Sequence, residues 1–406
     1  MTLTSFLSSL LLLALLAAAK PVVVNRFPVT LPLTRFINST GVYNLLQHDQ
    51  ARAQVFKLKN RALGRGSAPA AIINEPITNA FVYYLRCIGW RWQSSYNFSN
   101  TWLGAGKKYV LSSTSKFTGD LVYVRYGSGF FSGSEWNDTV TIEPGLVIPK
   151  QSIGVAVVSS GFKNIDGILG VGPVDLTAGT LTTKPGSTTI PTVTDNLFKN
   201  GAITSNEIGV FFAPITQAPG QGGEITWGGA DTAKFDGSIN YTPITGTSPA
   251  SAYWGIDESI TYGGTTILET TKYSNFCTGT TLILIATDAY KKYLVATGAT
   301  FDSATGLLTI TLAEYNNLQN LVFTTPDGVH YTLIPNAQIW PRSLNANIGG
   351  TPGSIYLIIG DIGSNSGQGL DFINGFAFLQ RFYSVYDTGN RRVGLATTPF
   401  TTSTAN

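Results

Sequence analysis

Apolar and polar positions along the chain alternate mostly with a period of two, in short runs cut by glycine. Leu121 to Tyr126 alternates as a strand, and Gly127-Ser128-Gly129 follows as a hairpin tip. Glu224 to Trp227 is a second clear strand between glycine pairs, and Ser384-Val385-Tyr386 and Arg392 to Ala396 bracket a turn at Thr388-Gly389-Asn390. Helical spacing is rare. Val193 to Lys199 follows Pro191 and stops at Gly201. Asp288 to Ala296 is expected to be capped by Thr287 and stopped by Gly298. Leu312 to Leu321 is a third candidate. Residues 61–75, RALGRGSAPAAIINE, have no periodicity and read as a linker or processing region.

The pattern also holds a long echo. Asn100-Thr101-Trp102-Leu103 in one half and Thr278-Gly279-Thr280-Thr281-Leu282 in the other each follow a strand-like stretch. Each is trailed by an apolar-apolar-Gly element: Ile168-Leu169-Gly170 in the first half, and Ile358-Ile359-Gly360 or Phe372-Ile373-Asn374-Gly375 in the second. Two related lobes would produce this echo.

Composition sharpens that picture. The 406 residues are 43% hydrophobic, enough for a substantial core, and only 12% charged, about half the usual share of roughly 25%. Abundant Gly, with recurrent Thr, Ser and Tyr, favours an all-β chain and excludes coiled coil and disorder. Phe6 to Leu16 is an apolar run too short to span a bilayer, and Ala17-Ala18-Ala19 supplies small residues for cleavage, so residues 1–19 read as a secretory signal and the protein as secreted and extracellular. Asn-x-Ser/Thr acceptors at Asn38, Asn97, Asn137 and Asn240 fit export. Two cysteines, Cys87 and Cys277, form no disulfide framework; they are one bridge or two free thiols.

The formal net charge of +3 conceals two opposite parts. Residues 20–70 carry eight basic residues and one acid, Asp49, whereas residues 71–406 carry 18 basic and 22 acidic. A basic leader before an acidic body reads as a propeptide that docks on an acidic cleft and lets go when acid protonates the carboxylates, or as a disordered tail. A nucleic-acid arm does not suit an exported chain.

The stretches "YGSGFFSGSEWNDTVTI" (126–142), "DGILGVGPVDLT" (166–177), "GGEITWGGADTAKFDGSINYTPI" (222–244), "YWGIDESITYGG" (253–264), "TGTTLILIATDAY" (278–290) and "FLQRFYSVYDTGNRRVGLATT" (378–398) resemble the pepsin-like aspartic endopeptidases, specifically the secreted enzymes of wood-rotting fungi. The resemblance runs over nearly the whole chain. It implies a bilobal all-β fold with a few short helices and a cleft between lobes. The boundaries it suggests are a signal at 1–19, a basic propeptide at 20–75, an N-terminal lobe with flap at 76–245 and a C-terminal lobe at 246–406. Tyr126, Gly127, Ser128 and Gly129 would form the flap, and Thr278, Gly279 and Thr280 would join them in holding substrate. The partners implied are a peptide or protein substrate and the chain's own propeptide, with no cofactor, metal, nucleic acid or membrane; the protein would be a monomer.

The chemistry of the family needs two facing acids, because like charges that close share one proton: one partner activates water while the other polarises the scissile carbonyl. This sequence lacks both. Cys277 stands where the second lobe should carry Asp, before Thr278-Gly279-Thr280-Thr281. In the first lobe Ser99-Asn100-Thr101-Trp102 survives, but Tyr96-Asn97-Phe98 replaces the Asp-Thr-Gly that should precede Ser99. No catalytic residue is intact. Cys277 is a poor nucleophile, since a thiol needs a base, and neither His48 nor His330 is placed beside it by any motif. The literal Asp387-Thr388-Gly389 is a charged hairpin turn, and Asp166, Asp288 and Asp361 read as structural. Trp90 and Trp92, where glycine is expected, would overpack the first lobe at roughly 1–3 kcal/mol per site.

Both lesions fall at the most constrained points of an otherwise intact chain, which points to mis-joined coding segments. The functions to separate are an acid endopeptidase that is inactive as written, a peptide-binding pseudo-peptidase, and a non-enzymatic β-rich wall or carbohydrate-binding protein. The flap has no role in the third.

Overall fold

The computed structural model describes residues 28–37, 44–63, 81–84, 109–126, 129–143, 145–160, 167–184, 188–214, 222–271, 274–276, 280–368 and 370–404. The expected signal, both cysteines, Trp90 and Trp92, Ser99, Gly127, Ser128, Asp166, Thr278 and Gly279 lie outside these residues.

Strands dominate. In chain order the first half carries β1 (Val29–Ile37), β2 (Phe81–Tyr84), β3 (Lys116–Tyr126), β4 (Gly129–Glu143), β5 (Leu146–Ser160), β6 (Glu207–Phe212), β7 (Gly223–Trp227) and β8 (Asp236–Pro243). The second half continues with β9 (Glu258–Tyr262), β10 (Thr265–Thr271), β11 (Ser274–Phe276), β12 (Ile283–Ile285), β13 (Thr300–Asp302), β14 (Leu307–Ile310), β15 (Leu321–Thr324) and β16 (His330–Leu333). It closes with β17 (Ile355–Leu357), β18 (Ile359–Asp361), β19 (Phe372–Asn374), β20 (Phe382–Asp387) and β21 (Arg392–Thr397). The α-helices are α1 (Leu45–Leu63), α2 (Val193–Lys199), α3 (Thr287–Thr297), α4 (Leu312–Asn317) and α5 (Phe376–Leu379).

A seven-stranded sheet, in the order β2-β1-β7-β6-β20-β21-β8, ties the leader and both halves together. β1 pairs with β7 through Val29–Leu33 and with β2 through Thr34–Ile37, so it crosses from one neighbour to the other along its length. Pro32 lies in the stretch that pairs with β7 alone, ahead of the switch to β2. The described residues of the leader are ordered into secondary structure. They contribute this strand and α1.

The hairpin β3–β4 extends through β5 as a three-stranded sheet. In β4 the buried positions fall at Phe131, Gly133 and Glu135, then switch parity to Asp138, Val140 and Ile142. Register shifts between Ser132 and Gly133 and between Asp138 and Val140 each place an extra residue in β5, while the pairing from Glu135 to Asp138 across the switch is regular.

Helix boundaries follow local chemistry. α2 begins in a capping box: the Thr192 hydroxyl accepts from the Asp195 N–H while the Asp195 carboxylate accepts from the Thr192 N–H. α3 ends at Gly298, whose φ of +70° is the left-handed cap glycine adopts at no steric cost. Thr287 does not cap α3 as expected. The cap position is Ala286, and the Thr287 hydroxyl instead donates to Asp361 Oδ1 at 2.6 Å. α4 is shorter than its apolar pattern suggests, because Leu321 opens β15.

Candidate functional site

The floor of the site is built in the second half. β12 lies between β18, which it meets in parallel, and β19, which it meets antiparallel. Both apolar-apolar-Gly candidates of the second half are thus partners of the strand that follows the Thr-Gly-Thr-Thr loop, one on each side. Residue 374 is paired with Phe276 on one side and Ile283 on the other, so it marks both edges of the loop at 277–282. The emerging chain is pinned from below: Phe376 N–H donates to the Thr280 carbonyl at 2.7 Å and Ala377 N–H to the Thr281 carbonyl at 3.0 Å. Gly375 is required for this approach. A Cβ there would lie 2.2 Å from the Leu282 oxygen and 2.7 Å from the Thr280 oxygen.

Of the residues expected to hold substrate, three lie within the described structure. Tyr126 and Gly129 face each other as the last pair of β3–β4, closing the hairpin at the expected tip. Thr280 is buried in the floor, 1% exposed. Gly127, Ser128, Thr278 and Gly279, like Cys277, fall outside the described residues. Tyr126 lines a cavity of about 170 Å³, together with Ile168 and Gly170 of the first half, Tyr253 of the second, and Arg52 and Phe56 of the leader.

The leader helix is what the sequence reading missed. Asn44 caps it by accepting from the Gln47 N–H at 3.0 Å. Leu45, Asp49 and Ala53, spaced four apart, form its buried face, and an acid on that face is the signal that could have revealed it. Asp49 is fully buried. Its Oδ2 accepts from the backbone N–H groups of Thr281 at 3.0 Å and Leu282 at 2.7 Å, and its Oδ1 lies 3.0 Å from His48 Nδ1. Gln50 Nε2 donates to the Asp361 carbonyl at 2.8 Å, Lys57 donates to the Ser364 hydroxyl, and Phe56 packs on Tyr253 with ring centroids 4.8 Å apart. At the floor a leader acid meets body amides, while Lys57 of the leader pulls against the burial that raises the body's Asp371 carboxyl.

The other candidates within the described residues, Asp387, Asp361, Asp288 and His330, take part in local hydrogen bonds. Burial alone would raise the Asp387 carboxyl, but hydrogen bonds from Asn390 and Arg392 hold it below the usual range; it sits in the β20–β21 turn, with Arg392 Nε at 2.7 Å. The Thr388 N–H donates to the Asn206 carbonyl at 3.0 Å, which anchors that turn. Asp361 accepts from Thr287 and the Gly363 N–H, and Asp288 from the Ser366 N–H and hydroxyl. His330 opens β16, its Nδ1 2.9 Å from the Thr324 hydroxyl. Among the described residues no three His, Cys, Asp or Glu side chains are grouped to hold a metal, and no helix is long and apolar enough to cross a membrane.

A hairpin flap over a groove, a floor of two strands flanking a third, and a central sheet shared by both halves define the bilobal architecture of the pepsin-like aspartic proteases. The family model for eukaryotic aspartyl proteases matches residues 106–398, and the chain belongs to that family. It is 60% identical over 308 residues to polyporopepsin of Irpex lacteus, covering 76% of this chain and 90% of that one. It is 33% identical over 304 residues to cathepsin E of Rattus norvegicus, covering 70% and 67%. The crystal structure of aspartic proteinase from Irpex lacteus superposes with a TM-score of 0.71 at 61% identity, again covering 76% and 90%.

Proposed function

We propose that this chain descends from secreted acid endopeptidases and, with the sequence it has, folds a peptide-binding cleft that does not cut. The observation that carries this reading is the identity of residue 277. A thiol stands before Thr278-Gly279 where the proton-sharing pair needs a carboxylate, and Tyr96-Asn97-Phe98 stands where the first lobe needs its own. A neutral thiol in acid neither activates water nor polarises a carbonyl.

In this reading residues 1–19 direct export and residues 20–75 act as a propeptide. The burial of Asp49 on the Thr281 and Leu282 amides supports a leader that occupies the cleft floor. A missing dyad with an intact flap region favours the binding role over a wall or carbohydrate-binding role.

The test is hydrolysis of casein by the purified full chain between pH 3 and 5, with binding of a statine-type inhibitor measured in parallel. No cleavage with retained inhibitor binding is the expected result. Cleavage blocked by that inhibitor would overturn the proposal. Sequencing the transcript across codons 86–100 and 270–280 decides separately whether the two acids were lost or the coding segments were mis-joined.

A further inference from the structure

Hydrogen-bonded to Asn374, whose backbone pairs with Phe276 and Ile283, is a carboxyl group that the peptidase reading does not use. Glu258, the first residue of β9, is fully buried. Its Oε2 accepts from Asn374 Nδ2 at 3.1 Å. Its Oε1 and the Asn374 Oδ1 are both buried, and neither has a hydrogen-bond partner. Two orphan acceptors on two side chains already joined by one hydrogen bond are a donor short, and an ionised carboxylate offers none. A single proton on Oε1 supplies it.

We propose that Glu258 is held as the neutral acid, its Oε1–H donating to Asn374 Oδ1, and that this acid–amide pair makes Glu258 a positioning residue for the second-lobe loop. The link to the loop is the register of Asn374, paired with Phe276 on one edge and Ile283 on the other. Any rotation or retreat of the Asn374 side chain acts at both ends of the 277–282 segment.

The surroundings agree. Burial pushes the Glu258 carboxyl from 4.5 up to about 8, against a smaller downward pull from Asn374. No Lys, Arg or His forms a salt bridge with it among the described residues. The ionisable group that feels it across the sheet is the Tyr331 hydroxyl of β16, itself buried without a partner and acted on also by Asp327. Ionising Glu258 would put a bare charge into this dry site and leave Asn374 Oδ1 orphaned.

The sign of the pH effect follows. The folded carboxyl keeps its proton above the pH at which the unfolded one loses it, so the native state binds one more proton between about 4.5 and 8. Stability from this group is intact below 4.5, falls across that window and levels off above it. Within the window the unfolding equilibrium constant rises about tenfold per pH unit from this group alone.

The test uses the full chain and its Glu258→Gln variant. A glutamine amide reproduces the neutral acid: its oxygen accepts from Asn374 Nδ2, its N–H donates to Asn374 Oδ1, and it does not titrate. Urea unfolding from pH 4 to 9 should show one fewer proton linked to unfolding in the variant, and the protection of the Thr280–Ile283 amides, relative to the intrinsic base-catalysed exchange rate, should fall with pH in the wild type only. Raised carboxyls elsewhere, such as Asp371 at about 6 and Glu135 at about 7, are common to both proteins and cancel in the difference. Infrared spectra of the wild type should contain a protonated-carboxyl carbonyl stretch with a component that persists at about pH 7.5, above the values of about 6 for Asp371 and about 7 for Glu135, a readout that stands even if the variant does not fold. The proposal fails if that stretch is absent, if the pH dependences coincide, or if Glu258→Gln destabilises at pH 5 as much as Glu258→Ala.

Discussion

Asp138, at a corner of the flap sheet, and Glu258, bonded to Asn374, are both buried carboxyl groups, at 1% and 0% exposure, yet the two hold different charge states. Burial pushes Asp138 upward, but hydroxyls from Ser112, Thr114, Ser115 and Tyr109 outweigh it and bring the carboxyl down to about 2. Three of those contacts are 2.6 to 2.7 Å, and the Thr139 N–H adds another at 2.7 Å. Glu258 has one amide donor. The count of donors aimed at the oxygens, rather than depth, decides whether a buried acid is an anion or a neutral group.

The largest test of this contrast is Asp138→Ala. It leaves four hydroxyls aimed at empty space and should cost about 3 kcal/mol in urea unfolding near pH 6, the scale of breaking a buried charged network. Asp138→Asn should also be destabilising there, where Glu258→Gln is not, and equal behaviour of the two amides would break the comparison. The Asp138 contribution is present above about pH 3.8 and is lost as pH falls through about 2. The flap sheet should therefore loosen at the acid end of the range and the loop floor at the neutral end.

Asp49 accepts from two backbone N–H groups. Asp49→Ala should weaken docking of α1 by about 2 kcal/mol, read as faster proteolysis within the helix and faster exchange of the Thr281 and Leu282 amides. Unchanged protection of both would mean that apolar packing of Leu45, Leu46 and Ala53 alone holds the helix. The smallest effect is expected at Thr192→Ala, where Asp195 keeps the Thr192 N–H and its bond from Asn206 but the hydroxyl cap of α2 is lost, about 1 kcal/mol in thermal unfolding.

What could be read from the sequence was whatever local chemistry alone decides. Gly298 stops α3 by its own backbone, and Asp387-Thr388-Gly389 is a turn because Arg392 follows it. The flap hairpin shows in plain alternation. Each miss had a tertiary cause. Pro32 disguises β1 because the hand-over between β2 and β7 is invisible in a linear pattern. His48 and Asp49 interrupt the apolar face of α1, and only the amides of Thr281 and Leu282, more than 230 residues away, make that face burial-competent. Thr287 reads as a cap until Asp361 claims its hydroxyl. At the site, Cys277 and Tyr96-Asn97-Phe98 can be read from residue identity alone, while the Glu258–Asn374 pair depends on a contact that no motif encodes.

The order of the seven-stranded sheet has a consequence for biogenesis. β20 and β21 are inserted between β6 and β8, strands made far earlier in synthesis. A ribosome-bound chain would have to keep Ile208, Val210 and the β8 edge from pairing wrongly until its final segment emerges. Such distant pairing is intrinsically slow and leaves edges open to other chains, so a stop codon only a few dozen residues early would abolish closure of the sheet rather than trim its margin.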